Sequence, residues 1–199
     1  MLRAIRLFLA VALLSMAFGA AAQRVADALR AEAGRCKLDI ALVRTGSRGL
    51  FWLEPMIEVE TPAGRIAYGP VKASDVPALF GDLAAHPKAL GLTDDLPWMK
   101  AQTRLTFARV GITDPLSLED YIAHDGYRGL KRALGMTPEA IVAEVTESGL
   151  RGRGGAAFPT GIKWRTVLGC QAEQKYIVCN ADEGDSGTFS DRMVMEDDP

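Results

Sequence analysis

The sequence predicts an α/β protein in two parts, and three observations carry that reading. A helix, a strand, a hairpin and a second helix follow one another between Arg24 and Leu83. A glycine- and arginine-rich stretch, Gly149–Trp164, reads Gly-Leu-Arg-Gly-Arg-Gly-Gly-Ala-Ala-Phe-Pro-Thr-Gly-Ile-Lys-Trp and offers little that could fill a core. A short apolar run, Tyr176-Ile-Val-Cys179, then opens into the carboxylate-rich segment Asn180-Ala-Asp-Glu-Gly-Asp185. A chain of 199 residues is long enough for one domain or two small ones.

Taken in order, the chain opens on Met1–Gln23, where Arg3 and Arg6 precede an apolar run from Leu7 to Phe18 and then Ala20-Ala-Ala22. That is the pattern of a secretory signal peptide; the alternative is a buried N-terminal helix. The run is short for a spanning helix, which needs about 20 apolar residues. Arg24–Arg35 reads as a helix with Val25, Ala28 and Leu29 on one face. Leu38–Val43 is a strand candidate, and Gly46–Pro55 a loop. Ile57-Glu-Val-Glu60 alternates as a half-buried strand does, and the turn Thr61-Pro-Ala-Gly64 returns it to Arg65–Tyr68 as a hairpin. Ser74 can cap a helix through Leu83, with Pro77 in its first turn. Residues 24–86 thus form a small open unit that resembles the later part of a thioredoxin-like fold whose first strand is missing or replaced.

His86–Lys100, with Pro87, Gly91 and Pro97, reads as a connector; residues 87–110 are taken as the boundary between domains. Arg104–Val110 is a short strand candidate. Ser117 caps a helix, Gly126-Tyr127 interrupts it, and Leu130–Leu134 resumes. Thr137-Pro138 starts another helix, buried through Ile141, Val142 and Val145 and ending near Gly149. The glycine stretch follows, and a further helix should begin near Thr160 or Gly161.

Three loop types compete for Gly149–Trp164. A phosphate loop of the G-x-x-x-x-G-K-[ST] type fails, because Gly155 to Gly161 is one residue too long and Ile162 stands where lysine should. A dinucleotide fingerprint through Gly152, Gly154 and Ala157 requires a preceding strand, and a helix precedes instead. In the third, successive amides from Gly152 to Ala156 form an anion nest, with Arg153 or Lys163 supplying charge and the following helix its positive end. The bland alternative is a solvated surface loop. Tyr176–Cys179 reads as a central parallel strand, and ligands in open α/β sheets lie beyond the carboxyl ends of such strands. Asn180, Asp182, Glu183 and Asp185 stand there. Carboxylates suit ribose hydroxyls or ring N–H groups and repel phosphate, so this loop should meet the ring or sugar end of a nucleotide-like ligand. Its own alternative is a solvated acidic turn.

Glu147–Trp164 and Lys175–Glu183 resemble, nearly without gaps, the flavin-binding subunit of NADH dehydrogenases, the complex I 51 kDa-like family. This family includes subunits of NAD-reducing hydrogenases and NAD-dependent formate dehydrogenases. The resemblance implies that Gly152, Arg153, Gly154, Gly155, Ala156 and Lys163 hold FMN, with Asn180, Asp182, Glu183 and Gly184 on its opposite side. Phe158 would lie against the NADH rings and Asp185 near the nicotinamide. Complex I subunits typically read Glu-Ser-Glu-Pro-Gly where this chain reads Glu183-Gly-Asp-Ser-Gly187, a departure that resembles the formate dehydrogenase and hydrogenase branch. Gly46–Pro55 resembles the cysteine loop of the thioredoxin-like 2Fe–2S subunit that partners this flavoprotein. Ser47 and Phe51 stand where its cysteines would be, and cluster ligation requires thiolates, so no cluster is expected here.

Read whole, the chain resembles the β subunit of soluble molybdenum-dependent formate dehydrogenase. The implied fold is a cluster-less thioredoxin-like domain followed, over residues 111–199, by the first part of a Rossmann-like FMN-binding domain. The resemblance implies FMN and NAD(H) as cofactors, hydride exchange between them, and electrons passing to or from iron–sulfur and molybdenum subunits of a complex. No side chain need act as acid or base. The family's FMN domain continues through a helical region with four cysteines for a 4Fe–4S cluster, so the chain is expected to be incomplete and inactive alone. NAD chemistry favours the cytoplasm, against the signal-like Met1–Gln23, which a wrong start or frameshift would also explain. Equivalent hydrogenase or complex I subunits are the alternatives, as is an exported, non-catalytic interaction module. A net charge of −2 gives no bulk basic field for nucleic acid. Two histidines and the scattered Cys36, Cys170 and Cys179 match no metal spacing, so no metal site is expected in this chain.

Overall fold

The computed structural model describes residues 5–10, 16–185 and 187–199, with the backbone alone for 5–10 and 16–18. Residues 1–4 and 11–15 of the signal-like segment lie outside the described residues. The chain forms two compact units, one running through His124 and including Ala181–Pro199, the other Asp125–Asn180. No helix among the described residues is long and apolar enough to cross a membrane.

The first unit is built on a mixed sheet. Strand β1 (Ile5–Ala10) is followed by helix α1 (Met16–Cys36), β2 (Ile40–Thr45), β3 (Met56–Thr61) and β4 (Gly64–Tyr68). A short helix α2 (Val76–Leu79), strand β5 (Ala89–Leu92), and helices α3 (Pro97–Lys100) and α4 (Leu118–Ala123) complete its first segment. The strand order is β2-β1-β3-β4-β5. Strand β1 runs parallel to β2, with α1 as the crossover that parallel neighbours require, and antiparallel to β3. A strand therefore precedes α1, at Ile5–Ala10 between β2 and β3, where the sequence leaves a first strand missing or replaced.

Helix α1 starts earlier than its charge pattern suggests, because the alanine-rich segment before Gln23 is itself helix-forming. Ala22, Val25, Ala26 and Leu29 make one buried stripe and pack on Ile57, Val59, Tyr68, Val71 and Val76. The opposite face of the sheet buries Leu50, Met56, Ala67 and Met99. The hairpin turn closes where expected, with Thr61 Oγ1 donating to the Gly64 carbonyl at 2.6 Å.

Several local expectations are overturned. Arg104–Val110 forms turns, not a strand: the amide of Ala108 bonds the Leu105 carbonyl, and Leu105 points outward. The sheet edge is taken by Ala89-Leu-Gly-Leu92 from the anticipated connector, bulged between Ala67 and Tyr68. Its composition is poor in β-formers, so only its pairing to β4 makes it a strand. The helix expected from Ser74 to Leu83 ends at Leu79, where Gly81 and Asp82 follow; Asp82 Oδ1 accepts from the amides of Ala84 and Ala85.

The second unit holds α5 (Arg128–Ala133), α6 (Pro138–Glu147) and α7 (Thr160–Gly169). The local signals hold here. Thr137 Oγ1 accepts the Ala140 amide at 3.2 Å as the cap of α6, and Gly149 takes the left-handed conformation that ends it. Helices α6 and α7 approach at a glycine: a Cβ on Gly161 would lie 2.6 Å from the Thr146 Cα. Tyr176–Cys179, anticipated as a central strand, pairs with nothing among the described residues, and Ile177 is fully exposed. A strand is made by its neighbours, and among the described residues of 111–199 there is only one isolated bridge, Arg151 to Pro159. Helix α8 (Ser190–Asp197), in the first unit, closes the chain.

Candidate functional site

The glycine stretch is a small hairpin between α6 and α7. The Arg151–Pro159 bridge is flanked by two backbone bonds, Gly152 N–H to the Phe158 carbonyl at 2.8 Å and Thr160 N–H to the Leu150 carbonyl at 2.9 Å. Ala157, in the left-handed region at φ 45°, donates to the Gly154 carbonyl and tightens the tip, and Arg151 Nε clamps the Ala157 carbonyl at 2.6 Å. This wiring leaves the amides of Arg153, Gly154, Gly155 and Ala156 without an acceptor among the described residues. A Cβ on Gly154 or Gly155 would meet nothing within 4 Å, so the hairpin tip is open where those side chains would stand.

Charge converges on the same place. Lys163, in the first turn of α7, brings its Nζ to 3.1 Å from where a Gly152 Cβ would stand and to 6.0 Å from the Phe158 ring centroid. Neither Lys163 nor Arg153 forms an ion pair among the described residues. Helix α7 starts after Pro159 without a side-chain cap, so its positive end is open too. Free amides, an ammonium and a helix N-terminus suit a phosphate dianion, and Arg153 lies in the same loop. Within this unit the structure therefore brings Gly152, Arg153, Gly154, Gly155, Ala156 and Phe158 together on one short hairpin, with Lys163 on the first turn of the helix that follows it.

The acidic residues divide differently. Asn180 is the last residue of the second unit, while Asp182, Glu183, Gly184 and Asp185 belong to the first. Asn180, Asp182, Gly184 and Asp185 are exposed. Glu183 is half-buried with a left-handed backbone, φ 53°. Its Oε1 accepts the Arg192 amide at 2.6 Å, which caps the first turn of α8 from outside the helix. Its other oxygen, Oε2, is buried and has no partner among the described residues.

A buried charge network in the first unit escapes the sequence pattern. Alternation along β3 places Glu58 on the solvent face, yet it is wholly buried. Arg48 grips it through Nε and Nη2, both at 2.8 Å, and Arg65 Nη1 lies 3.5 Å away. Arg65 also donates to the carbonyls of Gly111 and Ile112. Burial holds the guanidinium of Arg65 below its ordinary pKa; it does the same for Arg104, helped there by repulsion from Arg48. The one available signal is Arg48 inside Gly46-Ser-Arg-Gly49, a charge in a turn with no nearby acid in sequence. Ser47, at the supposed cysteine position, donates through Oγ to Glu54 Oε1 at 2.6 Å. Among the described residues no group of three or more potential ligands is placed to hold a metal ion.

Residues 145–199 match the family described as the Nuo51 FMN-binding domain. The chain is 58% identical over 100 residues to the NADP-reducing hydrogenase subunit HndC of Solidesulfovibrio fructosivorans, which is 50% of this chain and 20% of the relative. It is 55% identical over 91 residues to an NADH-quinone oxidoreductase subunit of Rhizobium meliloti, 45% of this chain and 22% of that one. Against the NAD-reducing hydrogenase HoxS subunit alpha of Cupriavidus necator it is 50% identical over 66 residues, 33% and 11% of the respective chains. The chain thus spans about a fifth or less of the length of these relatives.

Proposed function

We propose, starting from a chain whose residues 145–199 carry a complex I 51 kDa-type FMN-binding sequence, that it contributes the phosphate cradle of an FMN- and NAD(H)-dependent electron-transfer subunit. The observation that carries the reading is the hairpin itself: free amides from Arg153 to Ala156 at an open tip, with the Lys163 ammonium beside Gly152. FMN, when bound, supplies the hydride and single-electron chemistry. The chain's own residues bind and orient. The amides and Lys163 fix the phosphate, and exposed Phe158 offers an aromatic face to a ring. The assignment of Asn180, Asp182 and Glu183 to the flavin and of Asp185 to the nicotinamide rests on the resemblance and on residue chemistry alone, since amide and carboxylate oxygens accept from sugar and ring polar groups.

The finer assignment is to the β subunit of a soluble formate dehydrogenase, working in the cytoplasm with iron–sulfur and molybdenum subunits. It rests on the resemblance of Glu183-Gly-Asp-Ser-Gly187 and of the N-terminal unit. The thioredoxin-like reading of that unit is supported by the order β2-β1-β3-β4 with β1 and β2 parallel. The second reading, an equivalent hydrogenase subunit, is favoured by the 58% identity to a hydrogenase relative. The catalytic subunit that copurifies with the native complex separates them: molybdenum supports the first, nickel and iron the second.

The cradle is tested by Gly154→Val. Because a Cβ there meets nothing, the free protein should keep its fold, while the side chain occupies the open tip. Flavin affinity, followed by quenching of FMN fluorescence, should fall about tenfold or more, the worth of a lost charge-assisted hydrogen bond. Lys163→Ala should weaken binding in the same direction. Unchanged affinity in both variants overturns the reading.

A further inference from the structure

The last helix is held against the first unit's own turn by buried carboxyl groups, and nothing in the flavin reading uses them. Asp197, at the end of α8, is 6% exposed. A Cβ on Gly46 would lie 1.5 Å from the Asp197 Cγ, so the carboxyl fills the space that Gly46 leaves. The Ser47 backbone hydrogen-bonds it from the same turn. The next residue, Asp198, accepts Arg109 Nε at 2.9 Å. At the other end of α8, Glu183 caps the Arg192 amide, so the helix that carries Asp197 also fixes the acidic segment.

We propose that α8 is a proton-dependent clasp: it docks on the Gly46–Ser47 turn when the Asp197 carboxyl is neutral and loosens when that carboxyl ionises, and Glu183 passes the change to the acidic segment. The charged groups facing Asp197 make the ionised form unwelcome. Glu54 approaches from the loop before β3, and Glu196 from α8 itself; both repel a carboxylate. Arg192 and the Ser47 hydrogen bond oppose them but do not outweigh burial. Burial, first of these causes, pushes the Asp197 carboxyl from 3.8 to about 7. The group is therefore raised in the docked state. Docking is strongest below the free value, weakens as pH rises from there to about 7, and is constant above it. Between pH 6 and pH 8 the docking equilibrium should fall about tenfold. Docking at Gly46, Ser47 and Asp197 does not depend on the flavin reading, which uses none of these three residues; only the transmission through Glu183 touches a residue of that reading.

Hydrogen exchange of the whole chain, corrected for the intrinsic pH dependence of exchange, tests it. In the wild type, protection of the α8 amides should fall about tenfold between pH 6 and pH 8, while β3 and β4 hold theirs as an internal standard. Asp197→Asn, a permanently neutral group of the same shape, should keep α8 protected at pH 8. Gly46→Ala, which expels the carboxyl, should leave α8 unprotected at both. A wild-type helix whose protection ignores pH overturns the clasp. So does an Asp197→Asn protein that loses protection in parallel with the wild type.

Discussion

Replacing Glu58 with glutamine is expected to destabilise the first unit by about 3–5 kcal/mol, the cost of breaking a buried ion pair from one side. Glu58 is the buried anion facing Arg48, whose side chain is 3% exposed, and Arg65. Glutamine keeps the shape and one acceptor but removes the charge, which leaves the Arg48 guanidinium buried against a neutral amide. Arg104 adds to the penalty, since Arg48 already repels it and its Nε is buried without a partner among the described residues. Glu60, two residues along the same strand and exposed, is the control; Glu60→Gln should change stability by no more than about 0.5 kcal/mol. Trp52 and Trp98 both lie in the first unit and form an edge-to-face pair at 5.5 Å. Urea unfolding in a Trp164→Phe background therefore reports on this unit alone. A loss below about 1 kcal/mol for Glu58→Gln, within the range of exposed pairs, would show that the network is not buried. Replacing Arg48 and Glu58 together by methionine and leucine should recover much of the loss, because both desolvation costs disappear at once.

Gly161→Val is expected to take apart the packing of α6 on α7. A Cβ at Gly161 would stand 2.3 Å from Thr146 Oγ1 and 2.6 Å from its Cα. The hydroxyl can rotate, although it would surrender its 2.7 Å bond to the Val142 carbonyl. The Cα cannot move without the helix. Overpacking of this kind costs about 1–3 kcal/mol where backbone can yield, and valine adds its own loss of helix propensity. The second unit is small, and its apolar side chains are largely half-exposed, Trp164 and Leu130 among them. A loss of that size should leave it poorly folded. Trp164 fluorescence, with Trp52 and Trp98 replaced by phenylalanine, should show a less cooperative transition at lower urea. If the transition is unchanged, the close approach of α6 and α7 is wrong. Gly154 stands in contrast within the same motif: Thr146 fills the space at Gly161, while the space at Gly154 is open. A fold defect at Gly161 with a flavin defect at Gly154 separates scaffold from cradle.

The elements legible in the sequence are those fixed by bonds a few residues long. Thr137 caps α6 and Ser117 caps α4 because each hydroxyl meets an amide three residues on. The Thr61–Gly64 turn and the start of α7 after Pro159 are of the same kind. The glycine stretch is legible as a tight connection between two helices, since glycine spacing is a local property. What long-range pairing decides is not. Ala89–Leu92 becomes a strand because β4 offers an edge, and Tyr176–Cys179 remains unpaired among the described residues despite its apolar run. Glu58 reads as the solvent-facing residue of an alternating strand, and nothing local in the sequence marks Asp197. Their burial follows from tertiary contacts: Arg48 from the loop before β3 and Arg65 from the facing strand at Glu58, and Gly46 and Ser47, far away in sequence, at Asp197. A carboxylate's environment is set by what folds over it, and residue type carries no record of that.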